Sequence, residues 1–452
     1  MWDCLYICGV GNKVSLIVRR NRIYRWLSLC CVVWLFAMPL AAGELPIPKT
    51  DLLAPETEMS FSFYGNRLWT VKSKPVKVKS LSQSDIAEAW LSYKKKDMGA
   101  VMSSLRSLSD ELGLNDWFVF ELVRKYVNTL LKSGTPLDRV VLEHYLLLNM
   151  GYDVRLARTE SQALLLVPIE QPVYEHDFVR ADGKEFYLFF DDLEFTEEKL
   201  SVIMPCDPSK EDVGKGQSFS LLFEGSPLNM RSGEDRVCEL DDGKIRLECA
   251  VNEGVMKMLR NYPTMEIHNY VTSVVMPQVQ DSILGQLKPQ IEDMTQCEAA
   301  NALLHFVQYV FGYEEDSESH GHEKAYFIEE NFYYDYNDCE DRSILYAFLV
   351  RSLLGLDVQI LQYPGHECTG VRFTDCLTYG NGYYIDGNYY LICDPSYVGA
   401  TIGKCMPQFR SVEHQVYVVK NSKAGDGHHS PLQPKLDKLV KVPSVPPGLI
   451  NL

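Results

Sequence analysis

The chain predicts an α+β protein in which a helix-then-strand unit occurs twice, with a strand-rich stretch between the two occurrences. Two patterns carry that reading. Apolar residues recur at helical spacing through 86–91, 117–131 and 283–313, whereas 195–275 breaks into short alternating runs punctuated by Gly and Asp. The segment Leu146-Leu147-Leu148-Asn149-Met150-Gly151-Tyr152-Asp153-Val154 also matches Val350-Arg351-Ser352-Leu353-Leu354-Gly355-Leu356-Asp357-Val358 in pattern, each a helix end running into a strand.

Taken in order, residues 1–43 are separable. Lys13, Arg19, Arg20, Arg22 and Arg25 precede an uncharged apolar run over 26–40, and Ala41-Ala42-Gly43 follows with the small residues that signal peptidase accepts. This reads as a secretory leader, which makes the protein exported, to the periplasm or the cell surface. An uncleaved membrane anchor is the alternative, against which stand Pro39 and a run shorter than the roughly 20 apolar residues of a spanning helix. Pro46, Pro48 and Pro55 mark a linker within 44–80 that also holds short strands over 59–78. Residues 81–195 form the first helix-then-strand domain, with Ser133-Gly134-Thr135-Pro136 as a break between helices. A small β-domain is expected over 196–280, with 218–223, 244–249 and 270–275 as strands, and 281–420 is the second helix-then-strand domain. The tail over 421–452 carries Gly, His, Lys and Pro with few apolar residues and is expected to stay unfolded.

A length of 452 residues exceeds one ordinary core, and the charge limits the partners. The whole chain has 44 Lys and Arg against 61 Asp and Glu; without residues 1–43 these become 39 and 60, a net charge of −21. Nucleic-acid binding draws on Lys and Arg contacts to phosphate, so a nucleic-acid partner is not expected. A membrane is a partner only if the leader stays attached. Nine cysteines follow the leader, an odd number that leaves at least one free thiol if the others pair. Cys238 and Cys249 flank the hairpin signal Asp241-Asp242-Gly243 and are either a disulfide or two small buried hydrophobes.

The chemistry concentrates in the last third. Cys339 opens a helix in Asp338-Cys339-Glu340-Asp341-Arg342-Ser343, with Asp338 placed as N-cap and Asp341 three residues on. Helix-start N–H groups and the helix dipole favour a thiolate there, while the three acidic neighbours oppose it and Arg342 is the nearby cation. His366 follows the turn Pro364-Gly365 at the mouth of a strand, and Asp394 ends the strand Tyr389-Tyr390-Leu391-Ile392-Cys393. Together they supply a nucleophile, a base and a carboxylate that orients the base. Each residue also has a plain structural use, as helix-start hydrophobe, turn polar group and turn starter.

The segment 297–406 resembles the transglutaminase-like superfamily through Asp338-Cys339-Glu340-Asp341-Arg342-Ser343, Gly365-His366 and Asp394-Pro395-Ser396-Tyr397. The resemblance implies a papain-like α+β core with Cys-His-Asp acyl transfer on amide bonds, no cofactor, and a peptide or protein substrate. The aromatic residue common after the family histidine is replaced by Glu367-Cys368-Thr369, and no animal-type calcium loop is recognisable. On the helix before the nucleophile, Gln308 is an oxyanion candidate or a solvated glutamine. Tyr334 and Tyr336 are candidates for the substrate groove or for packing. The acidic, His-bearing loop over 313–323 has no recognised metal-ligand spacing. If 81–195 is a degenerate copy rather than a chance likeness, Thr135 stands for Cys339 and Gln162 for His366, while Asp191 falls one residue out of step with Asp394. The expected activity is hydrolysis by an exported cysteine peptidase or amidase through a thioester. The alternative is a non-catalytic binding scaffold on the same fold.

Overall fold

The computed structural model describes residues 9–10, 13–14, 58–174, 176–190, 203–208, 214–223, 228–375 and 379–419. Most of the expected leader and the whole expected tail lie outside these residues. Within 1–46, Gly9–Val10 pairs antiparallel with Lys13–Val14. The remainder is α+β and is organised by two curled five-stranded antiparallel sheets. No helix among the described residues is long and apolar enough to cross a membrane.

From residue 58 on, a hairpin of β1 (Glu58–Phe63) and β2 (Asn66–Val71) comes first, turning at Tyr64 and Gly65, both at positive φ. Four helices follow: α1 (Gln83–Lys95), α2 (Gly99–Leu112), α3 (Asp116–Leu130) and α4 (Pro136–Asn149). Their starts are capped by Ser82, Asn115 and Thr135 for α1, α3 and α4, each side chain accepting an N–H of the first turn that lacks an intrahelical partner. The first sheet holds β3 (Arg155–Arg158), β4 (Ala163–Pro168), β5 (Phe178–Ala181), β6 (Lys184–Phe189) and β7 (Met204–Pro205), in the order β5-β6-β4-β3-β7.

The middle of the chain departs from the expected β-domain. It contains a hairpin, β8 (Asp235–Asp241) with β9 (Arg246–Asn252), followed by α5 (Glu253–Leu259), α6 (Ile267–Thr272) and α7 (Pro277–Ile291). The run over 270–275, expected as a strand, begins inside α6, which buries Ile267, Tyr270 and Val271 at helical spacing. Ile245, Leu247 and Val251 pack into the same apolar cluster as Phe118 and Leu345, so this region shares the main core instead of building one of its own. Cys238 and Cys249 are directly opposite in the β8–β9 register, and both are free thiols.

The expected helix over 283–313 is two helices, α7 and α8 (Gln296–Val310), separated where Thr295 forms a reciprocal capping box with Glu298. Next come β10 (Gly312–Tyr313), the single turn α9 (Asp316–Ser319), β11 (Tyr336–Asn337) and α10 (Cys339–Leu354). The second sheet is β12 (Asp357–Tyr363), β13 (His366–Arg372), β14 (Gly382–Ile385), β15 (Asn388–Cys393) and β16 (Gln415–Tyr417), in the order β14-β15-β13-β12-β16.

The two sheets have the same strand order, and their registers repeat at one shift. Arg155 pairs with Leu166 and Leu166 with Leu188; Gln359 pairs with Gly370 and Gly370 with Ile392, each residue 204 positions later. The β5–β6 turn at Asp182-Gly183 and the β14–β15 turn at Asp386-Gly387 keep that shift, with all four residues at positive φ. Gln162 stands at the His366 position of the register. At the same shift Thr135 stands at the position of Cys339, but as the N-cap of α4, the place that Asp338 takes in α10, with Pro136 as the first helical residue. Phe190 stands 204 positions before Asp394, and Asp191, one residue out of step, lies outside the described residues.

Candidate active site

Cys339 is the first residue of α10, and the helix start around it is tightly built. The main-chain N–H of Asp338 donates to Asp341 Oδ2 (3.4 Å), and Asp341 Oδ1 accepts from Tyr326 N–H (2.7 Å). Arg342, 1% exposed, turns away from the thiol's acidic neighbours: its Nε donates to Asn337 Oδ1 (2.8 Å) and its Nη2 to the carbonyls of Phe311 (2.9 Å) and Gly312 (3.0 Å). The thiol is free and buried, with Sγ 3.3 Å from both Glu340 Oε2 and Glu367 Oε2. Burial pushes its pKa far above the usual thiol range, and the charges of Glu340, Glu367 and Asp338 push it further. The Glu367 main-chain N–H acts in the opposite direction without offsetting them. In this arrangement the resting sulfur is a thiol, not a thiolate.

His366 and Asp394 come together as expected. His366 Nε2 is 2.9 Å from Asp394 Oδ2, both residues are buried, and the imidazole stacks on Phe409 with ring centres 4.7 Å apart. Asp394 Oδ1 accepts from Ser396 N–H (3.1 Å), Ser396 Oγ (2.9 Å) and Tyr397 N–H (3.0 Å), which fixes the carboxylate. With Nε2 engaged, Nδ1 is the nitrogen left for proton transfer.

The thiol and imidazole, however, make no hydrogen bond, and the pleat of β13 is the reason. Side chains alternate across a strand. His366 pairs with Tyr363 and Cys368 with Leu361, and Tyr363, Leu361 and Cys368 belong to a small cluster on the sheet face away from α10. Val358, Ile360 and Val371 lie on the other face, in the core with Ile344 and Leu345 of α10. Glu367 takes this second face and meets the thiol, its other oxygen accepting from Gln362 Nε2 (3.0 Å). The expected Cys339–His366 contact is therefore replaced by a Cys339–Glu367 contact, one residue along the strand.

Three further expectations change. Gln308 is buried, with Nε2 at 3.0, 2.9 and 3.1 Å from the carbonyls of Asp394, Tyr397 and Ala400, while its Oε1 accepts from Gly399 N–H (3.2 Å). It clamps the turn after Asp394 and has no amide hydrogen left for an oxyanion. Tyr334 packs with His320, Tyr326 and Tyr333, and Tyr336 is half exposed on β11 beside Gly312; neither lines the cleft over Cys339. The aromatic walls there are Tyr174, Tyr313 and Tyr417, which only the tertiary fold brings together from distant segments.

That cleft has a volume of about 590 Å³ and is lined by Asp316, Glu323, Asp338, Glu340 and Glu367 together with the Cys339 thiol. Lys324 also borders it, but its ammonium is directed to Glu330 (2.8 Å) and the Leu259 carbonyl (3.2 Å). The carboxyl of Asp316 is held up to about 7, by burial first and then by the charge of Asp338. Among the described residues, donor atoms converge in three groups, Asp338-Cys339-Glu340, Asp316-Glu323-Glu340 and His366-Cys368-Asp394, the atoms of each group lying within 4.8 Å of one another. The first is a run of three consecutive residues, whereas linear spacing did not reveal the second and third because they join separate elements. Compared with protein-family models, curated proteins and solved structures, the chain finds no match.

Proposed function

We propose that the protein is an exported cysteine amidohydrolase of transglutaminase-like type, acting on peptide or side-chain amides through a thioester at Cys339. The observation that supports this is a free thiol at the first position of α10, open to a cleft of about 590 Å³. Glu367, on the same strand as the buried His366–Asp394 pair, touches that thiol and is the proton acceptor, while the pair anchors the strand from the other sheet face. In the reaction, Sγ gives its proton to Glu367 Oε2 as it attacks the amide carbon. Glu367 then protonates the leaving amine. Water, deprotonated by the same carboxylate, cleaves the thioester and restores the thiol. The acidic cleft favours substrates bearing positive charge near the scissile amide.

The test is turnover of Lys- and Arg-containing peptide amides by the whole chain, with Cys339→Ala and Glu367→Gln as controls. Hydrolysis that stops in both variants is the expected result; hydrolysis that persists in Cys339→Ala rejects the reading. A second reading, a binding scaffold without turnover, is favoured by the two carboxylate contacts of the thiol. It predicts cationic-peptide binding that survives Cys339→Ser, with no hydrolysis by the unmodified chain.

A further inference from the structure

We propose that Cys339, Glu340, Glu367 and Asp338 form a binding site for a divalent metal ion of the zinc class, entered from the cleft. The first argument is convergence of ligand atoms. Sγ lies 3.3 Å from carboxyl oxygens of both Glu340 and Glu367, so a sulfur and two oxygens of metal-ligand type meet at one point.

The second argument is an unpartnered oxygen. Asp338 is 6% exposed and borders the same cleft, and its Oδ1 is buried without a hydrogen-bond partner. The nearby cations leave it so, since Lys324 and Arg342 direct their charge to Glu330 and to the Asn337, Phe311 and Gly312 oxygens. A carboxyl oxygen of Asp338, the Cys339 sulfur and a carboxyl oxygen of Glu340 lie within 4.8 Å of one another.

Distances and ligand type select the metal. Tetrahedral zinc, with Zn–S near 2.3 Å and Zn–O near 2.0 Å, sets sulfur and oxygen ligands roughly 3.5 Å apart. The observed S···O separations of 3.3 Å are close to that edge. A thiolate in the set favours zinc, cobalt or cadmium over magnesium or calcium. Binding exchanges the thiol proton for the metal, so loading releases that proton and makes the sulfur unavailable for attack. The site does not require the amidohydrolase reading, and a bound metal would hold Cys339 inactive in either case.

The experiment titrates the whole chain, freed of metal by a chelator, with Co²⁺ and then Zn²⁺. The thiolate-to-cobalt absorption band and alkylation of Cys339 by iodoacetamide are the readouts. A band that saturates at one equivalent, is displaced by Zn²⁺ and vanishes in Cys339→Ser is expected, with Zn²⁺ slowing Cys339 alkylation at least tenfold. Glu340→Gln should weaken binding at least tenfold, while Cys206→Ser, remote in sequence and buried in the main core, leaves it unchanged. Absence of a band, or one that survives Cys339→Ser, overturns the proposal. Calcium binding of equal strength without a band also overturns it and assigns the oxygens of Asp316, Glu323 and Glu340 instead. If Cys339→Ser does not fold, protection of Cys339 by Zn²⁺ in the unmodified chain decides.

Discussion

Glu367 is the residue of β13 that meets the Cys339 thiol, its Oε2 3.3 Å from Sγ, while His366 beside it turns to the opposite face of the sheet and pairs with Asp394. A thiol between two carboxylates is held protonated, and a protonated thiol is a poor nucleophile.

Removing one of those charges should therefore release the thiol. Glu367→Gln keeps the shape and removes a like charge that contributes to the raised Cys339 pKa, second to burial and Glu340. A drop of one pKa unit would speed alkylation at pH 8 by about tenfold. The measurement is the iodoacetamide rate at Cys339 in chelator, followed by mass spectrometry across pH. A rate equal to that of the unmodified chain would mean that burial alone holds the proton.

Asp394→Asn should weaken the fold as well as the site. His366 is buried, and in the variant its Nε2 loses a charged acceptor at 2.9 Å, a loss of about 2 kcal/mol. Urea unfolding at pH 7 reads this directly. Unchanged stability would show that the pair contributes nothing net to folding.

The sequence displayed both halves of this site without their relation. The helix start at Cys339 was legible because Asp338 and Asp341 have capping-box spacing ahead of apolar residues at helical intervals. The His366–Asp394 pair followed from a turn, a strand and a hairpin. What decides whether His366 faces α10 is the parity of one residue along β13, and parity depends on which face of the sheet the helix covers. That is a tertiary fact. The repeat was visible at Gly151 and Gly355 because helix ends and tight turns need particular residues, whereas α6 was hidden by apolar residues whose spacing fits either a strand or a helix.

Gln308 tests the distinction between clamping a turn and binding an oxyanion. Gln308→Leu strands the Asp394, Tyr397 and Ala400 carbonyls and the Gly399 N–H, for a cost of about 3 kcal/mol. Amide hydrogen exchange over 396–400 should rise, while the Cys339 alkylation rate stays within twofold. Exchange that does not change would argue against the clamp.

The pH dependence of stability should carry a signature from the first half of the chain. His144 on α4 is fully buried, and burial lowers its pKa from 6.5 to about 4, although Asp207 Oδ1 is 3.7 Å from Nε2. Desolvation outweighs that contact, which is long and involves a carboxyl whose own pKa burial raises. The folded state thus keeps the ring neutral while the unfolded chain takes up a proton near pH 6.5. Above that pH both states are neutral and the group contributes nothing. As pH falls from 6.5 toward 4 the unfolded state binds the extra proton and stability is lost, by about 2 kcal/mol at pH 5. Buried carboxylates such as Asp316, whose pKa is raised, change stability in the opposite sense over the same range, so the whole-protein curve does not isolate the histidine. The difference between the unmodified chain and His144→Leu does. Urea unfolding of both at pH 7.5 and pH 5 should show the variant losing about 2 kcal/mol less on acidification. Equal losses would mean that the folded state protonates His144 as readily as the unfolded chain, with Asp207 then stabilising the imidazolium.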